Sequence, residues 1–146
     1  MNNFNTSWKE RYRWILAFIC LSLCSVAGSV QAREGLILQV SDDNPQVWNM
    51  ALNIAKNAPN HFREPLEIVV VAFGPGLKML TMDSKVANRL EKATGRGVEF
   101  RACGMTMKKL KLKDSDLYPS SQVKRVNGGV IEIMRLQNAG YVYIRP

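Results

Sequence analysis

Three cysteines and one histidine are all the thiol and imidazole chemistry that this 146-residue chain holds, and two of the cysteines fall within the first 24 residues. Beyond them Cys103 stands alone, which excludes an intramolecular disulfide, a C-x-x-C redox pair and a closed single-chain zinc site in that part. His61, in the loop "APNHFREP", reads as a surface residue rather than the base of a cysteine protease. There is no Ser–His–Asp set. Asp42 and Asp43, consecutive in "SDDN", read as loop and capping residues rather than a catalytic carboxylate pair. "GPGLK" (74–78) lacks the third glycine of a dinucleotide fingerprint and the full pattern of a P-loop. The close-set Met79, Met82, Met105 and Met107 read as packing rather than copper ligands. The sequence therefore implies no cofactor and no metal. No apolar run reaches the roughly 20 residues of a spanning helix, and there is no repeat or low-complexity segment.

What is present begins with a leader. Lys9, Arg11 and Arg13 form a positive region, and Trp14 to Val26 is an apolar stretch of 13 residues broken only by Ser22 and Ser25. "AGSVQA" then places Val30 and Ala32 at the −3 and −1 positions of a small-residue cleavage site. That order marks residues 1–32 as a cleaved secretory signal peptide, with a periplasmic location as the expectation. Leu23 is bulky where a lipoprotein site at Cys24 needs a small side chain, and no twin-arginine pair is present. Only an uncleaved leader would tie the chain to a membrane.

Removal of the leader leaves residues 33–146, 114 residues, enough for one core. The whole chain carries a net charge of +8; without the three basic and one acidic residues of the leader, 17 basic and 11 acidic remain, or +6. A basic surface can attract nucleic acid, but no nucleic-acid motif is present, and "KKLKLK" (108–113) reads as a solvated helix face. A single cysteine in an oxidising compartment points to an intermolecular pair or a reactive thiol.

Strands and helices alternate through the domain. "GLILQV" (35–40) and "LEIVVVAF" (66–73) are short apolar runs bounded by breakers, the pattern of buried parallel strands. Asn44 caps a helix that starts at Pro45 and presents Val47, Met50, Ala51, Ile54 and Ala55 on one face. Asp83 or Ser84 caps a second helix with Val86, Ala87, Leu90 and Ala93 inward, ended by Gly95 to Gly97. "VEFRA" (98–102) is the third strand, followed by a short helix through Met105 to Leu112. "QVKRV" (122–126), a helix over 128–140 and "YVYI" (141–144) complete the set. The expectation is a mostly parallel sheet of about five strands with helices on both faces.

Ligands collect outside the carboxyl ends of such strands. There Cys103 falls just past the third strand, at a helix start whose free N–H groups favour a thiolate. Gly104 leaves room beside it, and Arg101, Lys108 and Lys109 are near in sequence. The chemistry that uses these parts is thiol transfer through a persulfide or mixed disulfide. The alternative is a buried, inert cysteine. Gly74, Gly76 and Lys78 in "GPGLK" form a candidate anion-binding nest, which a tight strand-to-helix turn explains equally well.

The succession "VVVAFGPGLKML", "GVEFRACGMTMKKLKL" and "GGVIEIMRLQNAGYVYIRP" resembles the DsrE/DsrF-like sulfur-relay family, most of all its exported single-domain branch, over residues 34–146. The resemblance implies a flavodoxin-like three-layer fold and a homotrimer or homohexamer. It also implies that Cys103, in a segment like "GVEFRAC", accepts and passes on a persulfide. The family's relay complexes are cytoplasmic, so a role in tRNA thiolation does not follow for an exported chain. The expected function is that of a periplasmic sulfur carrier, sulfurtransferase-like if it turns over at all, with a thiol-bearing donor or acceptor protein as partner. The second expectation is a non-catalytic oligomeric module for a small anionic ligand, with Cys103 as packing.

Overall fold

The computed structural model describes residues 35–62, 65–119 and 121–146. The expected leader lies outside these residues. Five strands form one sheet: β1 (Gly35–Val40), β2 (Glu67–Ala72), β3 (Glu99–Cys103), β4 (Val123–Val126) and β5 (Val142–Ile144). The spatial order is β4-β3-β2-β1-β5, and every pairing is parallel. Four α-helices connect them: α1 (Pro45–Asn57), α2 (Ala87–Thr94), α3 (Gly104–Leu110) and α4 (Gly129–Asn138).

The first three crossovers step the same way across the sheet and the last steps back. Right-handed connections then put α1, α2 and α3 on one face and α4 on the other. The cores show this division. Trp48, Ala51, Leu52 and Ala55 of α1, Leu90 and Ala93 of α2 and Met107 of α3 pack with Leu36, Leu38, Val70 and Phe100. Ile133 and Leu136 of α4 pack with Ile37, Val69 and Val71. The result is a three-layer, flavodoxin-like α/β fold, its strand order differing from flavodoxin's own 2-1-3-4-5.

Local chemistry explains the element ends. The Asn44 side chain accepts from the Gln46 N–H at 2.9 Å, the expected cap, with Pro45 in the first turn. The inner face of α1 differs from expectation. Trp48, Ala51, Leu52 and Ala55 are buried, while Met50 is exposed. Both stripes fit the helical period, and the Trp48 indole decides between them: its N–H donates to the Asp42 carbonyl at 2.7 Å, which turns the large ring inward. The α2 cap also differs. Val86 occupies the N-cap position, and Ser84 accepts from its N–H at 3.3 Å, one turn earlier than the helix. Strand β3 runs one residue further than expected and includes Cys103 itself. "GPGLKML" forms a 3-10 helix (Gly74–Leu80).

Candidate functional site

Cys103 ends β3 and is the N-cap of α3, so one residue belongs to both elements. It is 5% exposed. Side chains alternate along β3, which puts Glu99, Arg101 and Cys103 on the α4 side of the sheet and Phe100 and Ala102 in the opposite core. The sulfur thus sits where the β3–α3 junction meets the start of α4.

Its surroundings are donor-rich. Burial pushes the thiol pKa up, but the Thr106 hydroxyl and the N–H groups of Thr106, Gly129 and Met105 favour the thiolate and bring the pKa below the ordinary value of 9.0. Thr106 is held by a second contact: its Oγ1 accepts from the Gly74 N–H at 3.0 Å. A hydroxyl has one proton to give. With Gly74 as donor to the oxygen, that proton is free to turn toward the sulfur and favour its thiolate. The "GPG" turn after β2 therefore orients the group that acts on the cysteine after β3.

Cations do not supply the lowering. The Arg101 guanidinium turns under α4 and pairs with Glu132 and, at 2.7 Å, with Glu99, and its Nε has no partner. Lys108 and Lys109 point to solvent, with Lys111 and Lys113, as a solvated face should.

The remaining expected residues have structural partners. Gly74 has φ +54, a conformation that favours glycine. A Cβ at Gly76 would overlap the Val40 carbonyl, so the turn needs a bare backbone there. Lys78 is exposed and ion-paired with Asp43, which raises its pKa. Asp42 pairs with Arg145 at 3.2 Å. A Cβ on Gly104 would lie 2.9 Å from the Val126 carbonyl; the space that this glycine leaves is taken by β4. His61 is exposed after α1, at the end of the sheet opposite Cys103. Met79 and Met107 are fully buried, and Met82 and Met105 are exposed.

Sequence reasoning missed Thr106 and Gly129. Thr106 had a faint signal, a hydroxyl one turn after a candidate thiol at a helix start. Gly129 had none, because β3–β4 pairing is what brings it across 26 positions. A 370 Å³ depression lined by Lys78, Thr81, Met82, Asp83, Leu110, Leu112 and Asp116 does not include Cys103.

A parallel sheet whose third strand ends in a thiol held among donors defines a class of α/β protein with a single strand-end cysteine. By its match to the family model over residues 35–146, the chain belongs to the DsrE/DsrF-like family, which is broadly associated with sulfur relay. It is similar to a protein of unknown function from Methanobacterium thermoautotrophicum, with 28% identity and a TM-score of 0.72 over 77% of this chain and 99% of that one. A conserved protein of unknown function from Bacteroides thetaiotaomicron shares the fold, with 16% identity and a TM-score of 0.61 over 82% of this chain and all of the other. No curated protein matches the chain.

Proposed function

We propose that this protein is a periplasmic sulfur carrier in which Cys103 holds sulfane sulfur as a persulfide. The observation that supports it most is the set of donors around the sulfur, which stabilise a thiolate in a 5%-exposed position. The thiolate is the nucleophile in sulfur exchange. It would attack a sulfane sulfur of a polysulfide; one S–S bond of the donor breaks, a bond from Cys103 Sγ to that sulfur forms, and the shortened polysulfide leaves as the anion. An acceptor thiolate then attacks the outer sulfur and releases the Cys103 thiolate. No external oxidant or reductant enters, because the oxidising equivalent travels with the sulfur. The same donors would stabilise the thiolate as leaving group in the second step.

The partner is a protein or small molecule bearing a thiol. We also place the chain in a homo-oligomer, a trimer or hexamer. The exposed Met105, Val130, Ile131 and Met134 near the site support this, since apolar groups cluster at subunit contacts. Light scattering reads the mass directly.

The 5% exposure of Cys103 favours a second reading, an oligomeric module for a small anionic ligand with Cys103 as packing. One experiment separates the two. Intact mass spectrometry of protein purified from the periplasm, before and after polysulfide, should show loss of residues 1–32 and a gain in whole sulfur atoms. Reductant should remove the gain and Cys103→Ser should lack it. A wild type that gains nothing, with a thiol that alkylates only after unfolding, would establish the packing reading.

A further inference from the structure

At the other end of the sheet, α1 and α2 leave a cleft of 190 Å³ between their carboxyl-terminal halves. Leu52, Ala55, Ala93 and Val98 line its floor, and Lys56, Arg89, Lys92 and Arg96 line its rim. A second cavity of 170 Å³ continues from Lys56 and Arg96 toward Asn60 and Gly97. Val98 precedes β3 and Cys103 ends it, so the cleft lies about 16 Å from the thiol at 3.3 Å per strand residue.

Charge decides what this cleft would take. Among the described residues, none of the four cations pairs with a carboxylate. Helix α1 has no acidic residue, and the one acid of α2, Glu91, is directed to the Tyr118 hydroxyl at 3.4 Å. Lys56 and Lys92 stand in the last turns of their helices, where a cation offsets the helix dipole. Two helix ends amount to about −1 in total at −0.5 each, so four cations leave roughly +3 unanswered.

Arg89 is fixed in place without being neutralised. Its guanidinium donates to the Asn49 side chain and, at 2.7 Å, to the Asn53 side chain across the cleft. Both partners are uncharged, and they leave N–H donors of the guanidinium unused. The size of the cavity narrows the ligand further, since drug-sized molecules occupy about 300–1,000 Å³.

We propose that this cleft binds a small, multiply charged oxyanion of the phosphate or sulfate type, at a site separate from Cys103. The test is calorimetric titration of the purified protein with inorganic pyrophosphate at low salt. The wild type should show one saturable site per chain. Lys92→Gln with Arg96→Gln alters two exposed side chains, with a thermal melt as control for folding, and should weaken binding about fivefold to thirtyfold. Cys103→Ser should bind as the wild type does. Absence of saturable binding, an unchanged affinity in the double variant, or loss of binding in Cys103→Ser would each overturn the proposal. Binding to phosphatidylglycerol vesicles without binding to pyrophosphate would overturn it too, because the partner would then be a membrane surface.

Discussion

Replacing Thr106 with valine removes one hydroxyl and keeps the side-chain shape. Two contacts go: the acceptor of the Gly74 N–H and a donor that favours the Cys103 thiolate. Hydrogen bonds to charged groups contribute about 1.5–3 kcal/mol. At the lower figure the thiolate fraction, read below its midpoint, falls about tenfold. Each remaining thiolate is a better nucleophile, because nucleophilicity rises with pKa at a slope of about 0.4–0.5, which returns roughly threefold. The net expectation is alkylation about three- to fourfold slower at a pH below the midpoint, together with a midpoint moved upward. The assay is iodoacetamide labelling across a pH series, quantified by mass spectrometry of the peptide containing Cys103. Thr106→Ser restores the hydroxyl and should label like the wild type. A valine variant with an unchanged midpoint would refute the role given to Thr106, and a serine variant that behaves like valine would refute the hydroxyl as its cause.

Gly76→Ala should lower stability by about 3 kcal/mol, the upper end for overpacking, since its Cβ meets the rigid Val40 carbonyl; a denaturant melt measures it. Glu132→Gln leaves Arg101 buried with Glu99 as its remaining partner, and loss of one partner of a buried pair costs about 3–5 kcal/mol, here at the low end. The Glu132 carboxyl is held below its ordinary value of 4.5, by Arg135 first and by Arg101, against the opposing effect of burial. A depressed carboxylate contributes stability above its unfolded pKa and loses it as pH falls through the folded one. Thermal melts below pH 4.5 should therefore show a steeper drop in the wild type than in Glu132→Gln, which keeps only the share of other depressed carboxylates such as Asp83. The pH dependence of Cys103 has the same sign: with its pKa lowered by folding, the thiolate stabilises the native state above the ordinary thiol pKa. That contribution fades as pH falls through the folded value.

The sheet was legible because buried parallel strands are short apolar runs between breakers, and "GLILQV" matched β1 to the residue. The inner face of α1 was not, because two stripes offset by one residue satisfy the same period. Only the Trp48 contact with Asp42, made when the loop folds back, distinguishes them. At the site, Cys103 could be placed at a strand end from local pattern alone. The direction of Arg101 could not, since nothing nearby in sequence announces that Glu132 will be its partner. Lys78 looked available for an anion until the loop after β1 brought Asp43 to it.

The order of strands along the sheet bears on how the chain can fold while it is being made. Leu36 in β1 pairs with Val142 in β5, 106 positions later. β5 is the fifth strand in sequence order, yet it covers one side of β1, the first. A chain that emerges amino end first can assemble β1 to β4 while the outer backbone of Leu36 to Leu38 still lacks its neighbour. Unpaired apolar edges recruit strands from other molecules. Until Val142 to Ile144 take their place, the backbone of Leu36 to Leu38 is an edge on which a strand of another molecule could pair.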